Sequence, residues 1–202
     1  MTLAGLAGCT TTALQAGGES ADRTLYVGAY HWGFILLDED GVERDQVTLD
    51  VGSTVEIVGF GLEADDAIST LPTAIQESLP DHETMEARNL DRIPAPSEAY
   101  LHEALEEAEE RYPEHSLAIV PAGYGRNDGR MMDGGNDGGM MGGGMMDGGM
   151  MGTRGMVLPQ NASSPAVTRM VADRRGTFSL DCGAYCGYGH RYMNSPGAIV
   201  VQ

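Results

Sequence analysis

The sequence predicts a mainly β architecture interrupted by one helix and a Gly/Met-rich loop. Three observations carry this: strand-like runs over 24–60, further strand-like runs over 166–202, and between them a single stretch of helical periodicity. At 202 residues the chain has the length of one domain with additions.

TLYVGAYHWGFILL over 24–37 mixes aromatic and branched residues, and DEDGVERD then turns the chain. QVTLDVGSTVEIVGF over 46–60 alternates apolar and polar positions around a Gly-bearing turn, as half-buried strands do. Over 63–90 no long element is predicted, because Pro72 and Pro80 break it. SEAYLHEALEEAEERY over 97–112 is the helix: Ser97 is the N-cap candidate, and Leu101, Leu105, Ala108 and Tyr112 fall on one stripe opposite an acidic, solvated face. SLAIVPAG over 116–123 reads as another strand. Residues 125–155 are low complexity, with nine of the 13 Met residues lying between Met131 and Met156, and are expected to be a disordered loop. It reads either as a soft-metal sponge, since thioethers suit Cu(I), or as a tolerated repeat expansion. AVTRMVADRRGTFSLDC over 166–182 reads as two strands around the turn at Arg174, Arg175 and Gly176, and GAIVVQ closes the chain as a final strand.

The net charge is −18, from 30 acidic residues against 12 basic ones, and every basic residue is Arg. Such a surface repels itself at low ionic strength, and at molar salt, where the screening length is about 3 Å, the repulsion largely disappears. A high-salt organism or a basic docking partner accounts for it. Nucleic acid is a poor partner, because binding it depends on cationic contacts to phosphate. No stretch reaches the ~18 apolar residues of a membrane-spanning helix.

Three Cys residues do not make a disulfide framework. Cys9, in LAGC, resembles the lipobox of prokaryotic lipoproteins, and TTTALQAGGESAD follows as a polar tether. Residues 1–23 are therefore expected to be a lipobox-like N-terminus and tether, with a single domain over 24–202. A lipid on Cys9 would anchor the chain to the outer face of the cell membrane, adding roughly 0.8 kcal/mol of affinity per buried CH₂.

The other two Cys residues stand in CGAYCGYGHRYM, residues 182–193, between the last two predicted strands. Cys182, Cys186, His190 and Met193 follow one another at steps of four, four and three. Thiolate, imidazole and thioether together suit copper best and zinc next, and the Met tips the balance to copper because structural zinc seldom uses it. Phe178, Leu180 and Cys182 share one face of the incoming strand, so the first thiol is predicted to point to the core.

This pattern, with a strand ending at the first Cys and a short apolar strand after the Met, resembles the binuclear copper A loop of cytochrome c oxidase subunit II and nitrous oxide reductase. YHWGF over 30–34 and LDVGSTVEI over 49–57 are similar to further segments of that domain, so the likeness covers 24–72 and 167–202 and leaves 73–165 largely as insertion. The resemblance implies a cupredoxin Greek-key β-sandwich. It implies that Cys182 and Cys186 bridge two coppers, that His190 binds one, that Met193 is axial, and that the Ala184 carbonyl is a weak ligand. It further implies no catalytic residue: the domain would pass electrons from a cytochrome or small copper protein, either as a free carrier or as the electron-accepting subunit beside a haem-copper oxidase catalytic subunit. The alternative from the residues alone is copper storage or delivery through the Met-rich loop and the Cys loop.

Three departures bear on this. The family's second His lies in a segment resembling DVIHS, and 66–70 reads DAIST, with Ser69 where that His is expected. His82 is the substitute expected to fold back over the site, ahead of His31, His102 and His115; without a substitute, the set would hold a single copper or a distorted pair. Ala184 stands where respiratory oxidases commonly carry a Glu that links the domain to the catalytic subunit. The membrane helices that usually precede the domain are missing from this sequence, and a lipid on Cys9 would take their place as anchor. Trp32 and Tyr30 have two readings, an electron path into the site or plain packing.

Overall fold

The computed structural model describes residues 20–123 and 155–202. Cys9 with its tether, and all but the last residue of the 125–155 loop, fall outside the described residues. Nine strands form two sheets. The first has the order β2-β1-β4-β7, from β1 (Arg23–Tyr30), β2 (Gly33–Leu37), β4 (Thr54–Gly61) and β7 (Ala166–Val171). The second has the order β3-β9-β8-β5-β6, from β3 (Val47–Leu49), β5 (Glu114–Pro121), β6 (Met156–Pro159), β8 (Gly176–Asp181) and β9 (Asn194–Val201). Apolar residues of both sheets, among them Leu25, Val27 and Ile57 from one and Ile119, Leu180 and Ile199 from the other, meet in one buried cluster. The molecule is thus mainly β, two sheets packed on one core with a few helices, as expected from the sequence.

The runs over 24–37 and 46–60 become strands, but they pair differently. β1 and β2 form an antiparallel hairpin, with Tyr30 opposite Gly33. β3 and β4 part company: β3 pairs in parallel with β9, and β4 in parallel with β1. β7 and β8 likewise belong to different sheets, so their connection crosses the sandwich.

Four helices fill 65–111. α1 (Asp65–Ser69), α2 (Thr73–Glu77) and α3 (His82–Arg92) occupy the stretch where no long element was predicted. The prolines divide it into short helices without abolishing them, Pro72 taking the N-cap of α2 and Asp81, just after Pro80, accepting from the Thr84 N–H to start α3. Leu71 between α1 and α2, Ile75 of α2 and Met85 of α3 pack with Tyr30, Ile35, Leu37, Val58 and Phe60 in a second cluster. That cover on the outer face explains why β2 is buried at all five positions instead of at alternate ones.

α4 (Glu98–Arg111) is the expected helix, capped as expected: the Ser97 hydroxyl accepts from the Tyr100 N–H at 3.1 Å. Leu101, Leu105 and Ala108 form its buried stripe. Ser97→Ala is expected to lower stability by about 1 kcal/mol, read as a shift in the denaturant midpoint with an unchanged slope.

Candidate metal centre

β8 and β5 are antiparallel neighbours in register Ala118 to Asp181 and Ile119 to Leu180. Strand parity then fixes the directions of the side chains. Phe178, Leu180 and Cys182 are all buried on one strand, and Ile119, Leu117 and His115 on the other. A thiol at the end of β8 and an imidazole at the start of β5 therefore enter the core at the same end of the sandwich.

The loop after Cys182 is closed by hydrogen bonds at its base, where the Cys182 N–H donates to the Met193 carbonyl at 3.2 Å. A 3-10 helix over Tyr188–Tyr192 turns it, with His190 N–H donating to Gly187 O and Met193 N–H to His190 O. The Ser116 hydroxyl accepts from the N–H groups of Gly183 and Ala184 at 2.8 and 3.0 Å, tying the loop to the strand that carries His115.

These constraints gather the predicted donors. One donor atom each of His115, Cys182 and Cys186 lies within 4.8 Å of the others, all three residues buried. Cys186 Sγ is 3.4 Å from His190 Nδ1 and 3.5 Å from Met193 Sδ, and Cys182 Sγ is 3.2 Å from the Ala184 carbonyl oxygen. The thiols are not joined in a disulfide. Cys182, Ala184, Cys186, His190 and Met193, all predicted from the loop, thus meet at one place.

His115 was ranked behind His82, and the structure reverses that order. His82 opens α3 on the surface, its side chain 61% exposed and 3.4 Å from Glu109. His115 is 1% exposed, and neither of its ring nitrogens has a hydrogen-bond partner. One of them lies within 4.8 Å of the Cys182 and Cys186 sulfurs. A buried imidazole with one nitrogen within 4.8 Å of two thiols fits a metal ion: in the metal-free fold an unpartnered nitrogen carries a desolvation cost of roughly 1–3 kcal/mol, and ligation through that nitrogen removes its share. Ser69, where the missing ligand was sought, lies exposed at the end of α1 and donates its hydroxyl to Asp66 O. The signals for His115 were present in the sequence: His115-Ser116 is the one His-Ser pair, and His115, Leu117 and Ile119 alternate at strand spacing.

Trp32 braces the site from the first sheet. It occupies the turn between β1 and β2 with φ of 67°, is completely buried, and donates from Nε1 to the Cys186 carbonyl at 2.6 Å. α3 holds this left-handed turn: Asn89 Nδ2 donates to His31 O at 2.9 Å and Arg92 Nη2 donates to Trp32 O. A Cβ at Gly189 would overlap Cγ and Cδ2 of Trp32, so only glycine lets the loop lie against the ring. Trp32 is therefore a buried strut, and of the loop aromatics it is Tyr185, 62% exposed, edge-on to Tyr112 and tilted against His190, that faces solvent. His31 sits in this turn and not on a strand, while His102 is exposed on α4 against Glu86.

The Cys182 thiol is held well below its ordinary value of 9.0. The hydrogen bond from Cys186 is the largest cause; burial opposes it, and His190 and the Ser116 N–H add to it. A group depressed in the folded state stabilises fully above its unfolded pKa and loses that contribution as pH falls toward its folded one. Urea midpoints of the metal-free protein are accordingly expected to decline as pH is lowered from 9 through neutrality, and Cys182→Ser is expected to flatten that dependence.

The fold and donor set together define a β-sandwich with a buried His-Cys-Cys cluster at one end. No family model and no curated protein matches the chain. Among solved structures it is similar to the periplasmic domain of subunit II of cytochrome oxidase of Bradyrhizobium japonicum, at 12% identity and TM-score 0.40, over 91% of this chain and 86% of that one. It is also similar to a heme-copper terminal oxidase dimer, at 13% identity and TM-score 0.36, over 95% of this chain and 76% of that one.

Proposed function

We propose that this chain is a copper-binding electron-transfer domain whose donors are Cys182, Cys186, His115, His190, Met193 and the carbonyl of Ala184. The observation that carries it is the convergence of His115 with both thiols, buried, with the imidazole unpartnered on both nitrogens. Two thiolates, two imidazoles and a thioether would suit copper, and the thioether sets this group apart from structural zinc sites, which close with four Cys or His ligands.

Bound copper would supply one-electron oxidation and reduction. The chain's part is to hold donors that barely move. Cys182 is pinned by β8 and the Met193 carbonyl, His115 by β5, and Cys186 by the indole of Trp32. α4 covers the loop, Ala108 lying where a Cβ on Gly187 would touch it, and limits water at the thiols. His190 is partly exposed beside the outward-facing Tyr185, which makes this corner the point where electrons would cross to a partner.

The partner would be a cytochrome or small copper protein on one side and a haem-copper oxidase catalytic subunit on the other, outside the cytoplasmic membrane. Among the described residues no helix is long and apolar enough to cross a membrane, and Cys9 would supply a lipid anchor. The test is anaerobic copper loading of the full chain, followed by metal analysis and EPR. Two coppers per chain with a hyperfine pattern shared equally between them are expected. A colourless protein that holds only Cu(I) would favour delivery, and no stoichiometric copper would sink the reading.

A further inference from the structure

A second group of metal-type ligands lies beside the thiol site but contains no sulfur. His31, in the turn between β1 and β2, has one ring nitrogen within 4.8 Å of carboxylate oxygens of Glu63 and Glu109, which lie equally close to each other. His31 Nδ1 is 3.7 Å from Glu63 Oε1, and Glu109 Oε1 is 3.4 Å from Nε2 of His82. All four residues line one small void of about 10 Å³. His31 is 2% exposed, and its Nε2 has no hydrogen-bond partner.

The arrangement is short of a positive charge. The Gln160 side-chain amide is the polar group 3.1 Å from Nδ1. At 3.7 Å the contact from Nδ1 to Glu63 is too long for a hydrogen bond. Two carboxylates within 4.8 Å repel each other, and among the described residues their ion pairs are with imidazoles and not with Arg. With bonds of about 2.0–2.2 Å to N and O, donors around a tetrahedral cation stand roughly 3.3 Å apart, so these side chains need close in by only a small movement.

We propose that His31, Glu63 and Glu109, with His82 at the rim, form a second metal site for a divalent first-row cation of the zinc type. The donor set is imidazole and carboxylate, which favours such a cation over Cu(I). The ring of His31 stands edge-on to that of His115 with centroids 4.5 Å apart, so this cation would lie one imidazole away from the thiol cluster. The site does not depend on which metal the thiols hold.

Cobalt(II) is the probe, titrated into the full chain at an ionic strength high enough to screen diffuse binding to the acidic surface. The expected result is one saturable Co(II) per chain that lacks the thiolate-to-cobalt charge-transfer band of a sulfur site and is displaced by Zn(II). Glu63→Gln and Glu109→Gln, each made separately at a partly exposed position, are expected to weaken that cobalt at least tenfold. Glu106→Gln, on the exposed face of α4, is expected to leave it unchanged, and melting curves of all three should match the wild type. Absence of a saturable cobalt without the thiolate band would overturn the proposal, as would binding that both the Glu63 and Glu109 variants retain at wild-type strength.

Discussion

Copper affinity is expected to fall by more than the roughly 10–100-fold seen on removing a residue that merely supports a ligand when His115 is replaced by leucine, while the metal-free protein becomes more stable. The two effects have one cause. In the metal-free fold both imidazole nitrogens are buried without a partner, a desolvation cost of about 1–3 kcal/mol for each atom so placed. Leucine removes that cost and gives back a smaller amount through the imperfect fit of its side chain at a fully packed position. With metal present the order reverses, because one of the donors that meet at the thiols is gone. Copper titrations and urea melts of the two proteins, each with and without metal, test this. A His115→Leu protein that is destabilised without metal and binds copper as before would show His115 to be ordinary core. His82→Ala, at a surface position 3.4 Å from Glu109, should leave copper binding at the thiols untouched.

Gly189→Ala is expected to destabilise the protein by roughly 1–3 kcal/mol and to broaden or abolish the copper signal, through one methyl group. That methyl would occupy the space of Cγ and Cδ2 of Trp32, and the ring cannot yield at low cost. It is completely buried, its Nε1 is held by the Cys186 carbonyl at 2.6 Å, and its backbone carbonyl accepts from Arg92. Either the indole moves and releases the Cys186 carbonyl, or the 3-10 helix carrying His190 moves away from the thiols. Denaturant midpoints measure the first consequence and EPR linewidths the second. A variant with wild-type stability and an unchanged spectrum would show that the loop and the indole are not rigidly joined.

The donor loop was legible because its ligands are close in sequence. Cys182, Cys186, His190 and Met193 lie within twelve residues, and the strands that bound them announce themselves through Phe178, Leu180 and the closing apolar run. The helix at 98–111 was legible for a similar reason, a local cap and a local stripe. The three helices before it were not: α1 and α2 have five residues each, α3 buries only Met85 and Asn89, and their burial comes from the outer face of a distant sheet. His115 was missed for a related reason. Its place is set by the pairing of β5 with β8, some sixty residues apart: the local alternation of His115, Leu117 and Ile119 marks a strand but does not say that its start lies against the thiols.

By itself, then, the sequence determined the class of the molecule and the chemistry of its loop: alternation at period two dictates strands, and thiols, imidazole and thioether at close spacing dictate a soft-metal ligand set. The tertiary structure decided which histidine joins them, that Trp32 is a buried strut, and that His31 meets Glu63 and Glu109 across three separate segments. Those outcomes depend on strand register and on close packing between elements far apart in the chain, and both are properties of the folded whole that no short window of residues contains.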